Sequence, residues 1–264
     1  MTRTRTMIAG LGLLAVLPAG GNNMQTTKPS VRSIHVRQAD ERGLADFGWL
    51  KSRHTFSFGE YYDPAHMGFR TLRVINEDRV APSGGFPTHP HRDMEIFSYV
   101  LEGQLEHKDS MGNGRTLKPG QIQLMSAGSG VTHSEYNPSS REGVHFLQIW
   151  IQPKAKGLPP AYTEWHPDAA SEANAKVLVI SPDGAENSAV IRQDARVYRI
   201  RLAAGQEVRH ELAPGRGLWL QVMRGNLTLD TTALSAGDGA SSETAGTFVI
   251  KGSEETEALL FDLN

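Results

Sequence analysis

The sequence predicts an all-β chain folded as two β-barrels in tandem. Three observations carry this reading. From Ser33 onward, short apolar runs alternate with turns. The chain has 27 glycines and 14 prolines, enough to make many such turns. A weak internal repeat links its two halves.

Residues 1–30 are set apart from the fold as an N-terminal extension. Arg3 and Arg5 precede the apolar run 7–19, and small residues follow. That is the shape of a short signal peptide, and the run is too short for a membrane span. The rival reading starts translation at Met24, because codons 20–23 (GGNN) can encode a purine-rich ribosome-binding sequence in a bacterial gene. No later segment is apolar enough to cross a bilayer.

The first barrel is expected over 31–155. Residues 71–74 and 95–101 (EIFSYVL) read as strands, and Glu102-Gly103 turns the chain into 104–107. Residues 109–114 (DSMGNG) have the Asn/Gly chemistry of a hairpin loop. Further strands follow at 120–125 and 145–151 (HFLQIWI). Pro153, Gly157, Pro159 and Pro160 mark a boundary within 153–175, where 161–175 reads as a short helix or an irregular connection. The second barrel, 156–264, takes strands at 176–180, 197–202, 218–222, 247–250 and 258–263. The repeat sets 99–105 (YVLEGQL) against 221–227 (QVMRGNL), and 117–120 (LKPG) against 234–237 (LSAG).

Composition excludes several functions. There are 27 basic and 29 acidic residues, a formal net charge of −2, with no dense Lys/Arg block. Nothing there suggests a nucleic-acid partner. Cysteine is absent, so zinc fingers, iron–sulfur clusters and thiol nucleophiles are ruled out. Any metal must bind through His, carboxylate or water.

Two short segments carry the chemistry. His89-Pro90-His91 places two imidazoles at i, i+2, on one side of a strand. His133-Ser134-Glu135 repeats that spacing with an imidazole and a carboxylate, after the small-residue turn 126–130 (SAGSG). Either pair alone fits a surface or hydrogen-bonding role. Together they offer three nitrogens and one oxygen to a divalent transition ion, with room for water or substrate beside it. The remaining histidines, His35, His66, His107, His145, His166 and His210, lack a ligand-spaced partner and read as structural or solvated. His54, in an alternating strand, could line a pocket.

The segments Gly85-x-x-x-His89-x-His91-x-x-x-Glu95 and Gly120…His133-x-x-x-Asn137 resemble the two cupin motifs. Residues 49–69, 89–103 (HPHRDMEIFSYVLEG), 106–114 (EHKDSMGNG) and 125–138 (MSAGSGVTHSEYNP) resemble the pirin-like branch of bicupins more closely. The likeness is dense through about residue 152 and thinner afterwards. It implies two cupin jelly-roll barrels and one metal in the first, held by His89, His91, His133 and Glu135. Generic cupins would use Glu95 instead. Fe(II) is the favoured ion, with Ni, Cu, Mn, Zn and Co as alternatives.

The resemblance implies quercetin 2,3-dioxygenase chemistry on a flavonol-like aromatic substrate with dioxygen, in which Glu135 also accepts the substrate's hydroxyl proton. It implies as a rival a metal-binding regulatory module with a protein partner. It begins soon after Met24, as if the native chain started there, so the expected compartment is the cytoplasm; export is the alternative if residues 1–21 are a signal peptide. Aligning Gly103 with Gly225 and Gly120 with Gly237 sets Glu211, Ala213, Ile250 and Gly252 opposite the four ligands. On that alignment the second barrel holds no metal set.

Overall fold

A computed structural model describes residues 1–2 and 32–264, so the signal-like run and Met24 lie outside the described residues. Two barrels follow, each a seven-stranded sheet closed by a four-stranded one. In the first barrel the large sheet runs, in spatial order, Ala161–Trp165, Ile122–Ser126, Glu95–Glu102, Val144–Ile151, Leu72–Val80, Leu50–His54 and Gly43–Asp46. Its small sheet runs Gly85–His91, Val131–Tyr136, Leu105–Asp109 and Gly114–Leu117. The second barrel repeats the plan with Glu207–Leu212, Gly246–Gly252, Asn226–Leu229 and Thr232–Ser235 in its small sheet. No helix among the described residues is long and apolar enough to cross a membrane.

The repeat seen in the sequence is thus a repeat of hairpins. Gly103 and Gly225 sit at the same turn with φ of 74° and 70°, a region that costs a side-chain-bearing residue energy and glycine little. The two large sheets pack face to face. Their shared core includes Phe97, Tyr99 and Ile149 from the first barrel and Val197, Trp219 and Phe261 from the second. Edge strands are exchanged: His35–Arg37 pairs with Gly239–Ser242 of the second barrel, and Ala161–Trp165 pairs with Ile122–Ser126 of the first.

Two local expectations are met only in part. The strand expected at 71–74 runs on to Val80. Its continuation is polar on both faces, Asn76 and Asp78 lining a cavity and Glu77 turned the other way onto Arg42 and His145, so the apolar pattern stops before the strand does. The segment 161–175 is part strand and part helix. Asp168 caps the helix Ala169–Ala173 by accepting from the Ser171 N–H at 2.7 Å.

His145 is buried rather than solvated, and its Nε2 lies 2.9 Å from Glu77 Oε1. Arg42 donates to the other Glu77 oxygen at 2.8 Å. Burial pushes the Glu77 carboxyl up, but the His145 and Arg42 contacts outweigh it and hold it at about 2, below its usual 4.5. A depressed carboxylate stabilises the fold above its unfolded pKa and loses that contribution as pH falls through the folded one. The contribution should therefore be complete above about pH 4.5 and lost on the way down to about pH 2, up to roughly 3 kcal/mol. Urea midpoints from pH 2 to 7 should show a steep acid limb that Glu77→Gln flattens. The same limb in parent and variant would show that the pair adds no stability.

Candidate metal centre

The strands Gly85–His91 and Val131–Tyr136 pair antiparallel, with His133 opposite His89 and Val131 opposite His91. Side chains two apart share a face, so His89, His91 and His133 converge. Their ring centroids lie 4.5 to 4.8 Å apart, and their ligand atoms lie within 4.8 Å of one another. The ladder slips between His133 and Glu135, leaving Glu135 opposite Phe86. Gly85 allows the two strands to approach. A Cβ there would stand 2.5 Å from the Glu135 carbonyl oxygen and 2.4 Å from the Tyr136 ring.

The hydrogen bonds fix one tautomer. His89 Nδ1 lies 2.8 Å from the Pro87 carbonyl. A carbonyl only accepts, so Nδ1 carries the proton and Nε2 is a bare lone pair. That Nε2 faces His133 Nε2 at 3.0 Å. Two nitrogens bound at about 2.1 Å and at right angles to one ion would stand about 3 Å apart. His91 and His133 are also held unprotonated, as ligands must be. Burial, then the neighbouring His133 and His89, push His91 down to about 4. Burial, then His89 and His107, push His133 down to about 3. The donor set therefore fits a divalent transition ion.

Glu135 is buried and accepts three hydrogen bonds. Its Oε1 accepts from Ser98 Oγ at 2.8 Å and Gln123 Nε2 at 3.2 Å, and its Oε2 accepts from Gln148 Nε2 at 2.5 Å. A carboxylate has about four acceptor positions, so one remains. Glu135 groups with His133 and His107, while His89 and His91 group with His133; His133 is common to both sets. Glu95 lies elsewhere. On its strand it alternates with Ser98, the Glu135 donor, and its Oε2 accepts from Ser126 Oγ at 2.7 Å and the Arg192 N–H at 3.1 Å.

His107, read from sequence as structural, is fully buried beside His133. Its Nδ1 lies 3.4 Å from His133 Nδ1. The available signal was His107-x-Asp109, the same i, i+2 spacing, leading into the hairpin loop. Trp150 was also missed; its ring meets His91 edge-on, with centroids 4.9 Å apart, and Phe58 meets Trp150. Beyond Phe58 opens a cavity of about 770 Å³. Its wall includes the apolar Phe47, Trp49 and Phe86, with His54, Asn76 and Asp78 as polar groups. His54 thus lines a pocket, with its Nδ1 2.8 Å from Asn76 Oδ1. Burial raises the Asp78 carboxyl to about 7, with the Glu135 charge adding to it.

The second barrel corrects the alignment made from sequence. With Leu105 matched to Leu227, His107 falls on Leu229, which pairs with Ile250 as His107 pairs with Glu135. Ile250 then replaces Glu135, and Phe248, two residues earlier, replaces His133. Phe248 pairs with His210 as His133 pairs with His89, and Gly246 pairs with Leu212 as Val131 pairs with His91. The counterparts are thus His210, Leu212, Phe248 and Ile250, shifted by one or two positions. Three of the four are apolar, and no metal-ligand cluster is found there among the described residues. His210 is buried, with Nε2 3.0 Å from Asp262 and Nδ1 3.0 Å from Lys176 Nζ.

Comparison with known proteins gives two family matches. Residues 35–151 match the model described as Pirin, and residues 178–263 match the quercetinase C-terminal cupin domain. A protein of Escherichia coli named quercetin 2,3-dioxygenase is 47% identical over 230 residues, covering 87% of this chain and 98% of its own. A pirin-like protein of Caulobacter vibrioides is 40% identical over 232 residues, covering 87% and 99%. The crystal structure of the bacterial pirin YhhW from Escherichia coli in complex with nickel(II) superposes with a TM-score of 0.84 at 46% identity, covering 88% and 99%.

Proposed function

Because the chain belongs to the pirin family of bicupins, we propose that it is a metal-dependent quercetin 2,3-dioxygenase that opens the central ring of a flavonol. The observation that carries the reading is the convergence of the His89, His91 and His133 imidazoles, with His91 and His133 held unprotonated, beside the buried Glu135. Those four residues would hold one divalent ion, and iron(II) is the species we favour. The ion, when bound, supplies Lewis acidity toward the flavonol 3-hydroxyl oxygen.

The chain's own groups would do the rest. The Glu135 carboxylate would take the 3-hydroxyl proton at the acceptor position its three hydrogen bonds leave open. Trp150, backed by Phe58, would hold the His91 ring in place. The 770 Å³ cavity is in the range that small planar ligands occupy, and we place the flavonol there. Both atoms of dioxygen enter the ring-opened ester and carbon monoxide leaves. We assign the metal-bearing barrel to 31–155, the degenerate barrel to 156–264, residues 1–30 to an extension, and the protein to the cytoplasm.

Oxygen uptake by the protein loaded with iron(II) or nickel(II) tests the reading. Quercetin should drive uptake with carbon monoxide in a one-to-one ratio, and chelation should abolish both. Metal and flavonol binding without uptake would overturn the enzyme in favour of a regulatory module.

A further inference from the structure

We propose that His107, anchored by Asp109, is the positioning residue that sets the tautomer and ring orientation of His133. The inference rests on the reading of His133 as a metal ligand. An ionised carboxylate only accepts hydrogen bonds. Asp109 Oδ2 lies 3.2 Å from His107 Nε2, so that nitrogen carries the proton. A neutral imidazole has one N–H, which leaves His107 Nδ1 a bare acceptor. It lies 3.4 Å from His133 Nδ1, so the proton between them belongs to His133. His133 Nε2 is then bare, and it faces the bare His89 Nε2 at 3.0 Å. Two lone pairs aimed at each other repel unless a cation stands between them.

The anchor is built into the hairpin loop. Asp109 Oδ1 accepts from the backbone N–H groups of Met111 at 2.9 Å and Asn113 at 3.0 Å. Its Oδ2 accepts from Asn113 Nδ2 at 2.8 Å. The carboxylate is therefore fixed before it meets His107. Ladder register fixes the next step, since His133 stands opposite Asp109 and Glu135 opposite His107. The Tyr162 ring stacks on His107, with centroids 5.4 Å apart and planes 30° apart, and limits its rotation. The turn chemistry of residues 109–114 thus reaches an imidazole of the metal set through two side chains, an arrangement that tunes ligands in metal sites generally.

Two measurements test this on the full-length protein. Long-range proton–nitrogen NMR of the metal-stripped, nitrogen-15-histidine-labelled chain should show His133 protonated at Nδ1 and bare at Nε2. A proton on Nε2 would overturn the proposal directly. Chelator competition then reads nickel(II) affinity in three variants. His107→Leu, which removes the acceptor, should weaken binding by about ten- to a hundredfold and leave His133 as a mixture of tautomers. His107→Gln, whose amide oxygen can accept from His133, should restore most of the affinity. Parent affinity and tautomer in His107→Leu would remove the positioning role. Losses in both His107 variants as large as in His133→Ala would make His107 a ligand and equally overturn it. Parent affinity in His133→Ala would sink the ligand reading of His133 instead, while the tautomer spectrum still decides the relay.

Discussion

His91→Ala is expected to strip the protein of most of its metal and to abolish quercetin-dependent oxygen uptake. His91 is part of the three-imidazole set, and its low proton affinity of about 4 keeps its lone pair free at any physiological pH. Removing an outer partner of a metal ligand costs about ten- to a hundredfold in affinity, so removing a ligand should cost at least that. The substitution sits at the end of its strand, beyond the Gly85 packing contact, so the barrel should still form. Elemental analysis of purified parent and variant, prepared side by side, reads the outcome. His166→Ala is the control, because that side chain is half-exposed and pairs with Glu164 away from the set. Equal metal content in His91→Ala and the parent would remove His91 from the ligands.

The sequence made the barrels legible because a strand announces itself by apolar runs and turns, and both survive in 95–101, 145–151 and the glycines at 103 and 225. The pairs His89/His91 and His133/Glu135 were legible because alternation along a strand is a local rule. What stayed hidden depends on which strand lies beside which. His107 meets His133 only through ladder register between segments 26 residues apart. His210 reads as isolated until the fold sets it against Asp262, 52 residues away. Asn76 and Asp78 fall outside the strand expected at 71–74 because their polar side chains, which line a cavity, break the apolar pattern that marks a strand. The alignment of the two barrels slipped by one or two residues for a related reason. Turn glycines align the hairpins well, but the segments beside them differ in length: His133 follows Gly120 by 13 residues and Phe248 follows Gly237 by 11, while His89 precedes Gly103 by 14 and His210 precedes Gly225 by 15. The conclusion drawn from that alignment survives the shift, because Leu212, Phe248 and Ile250 belong to an apolar core and offer no ligand atom.

The two acids near the site should part company on substitution. Glu135→Gln is expected to lower metal affinity and turnover together, whereas Glu95→Gln should leave metal binding close to the parent's and act on stability. The difference follows from the faces of one strand. Ser98 points into the first barrel and donates to Glu135, whereas Glu95 is turned to Ser126 and the Arg192 backbone, where the chain of the second barrel passes. Glutamine at 135 keeps the shape but removes the charged oxygen that would bind the ion and take the substrate proton. Its amide nitrogen would also face donors, because Ser98, Gln123 and Gln148 all present hydrogens to that carboxylate. A buried donor without an acceptor costs about 1 to 3 kcal/mol, so some destabilisation is expected too, and it must be separated from the metal effect. Measuring nickel(II) affinity by chelator competition well below the melting range, beside thermal melts of both metal-free variants, makes that separation. A Glu135→Gln protein that melts lower but binds nickel like the parent would show that the carboxylate organises the barrel and is not a ligand. A Glu95→Gln protein that loses nickel while Glu135→Gln keeps it would assign the ligand role to the first-motif glutamate, as in generic cupins.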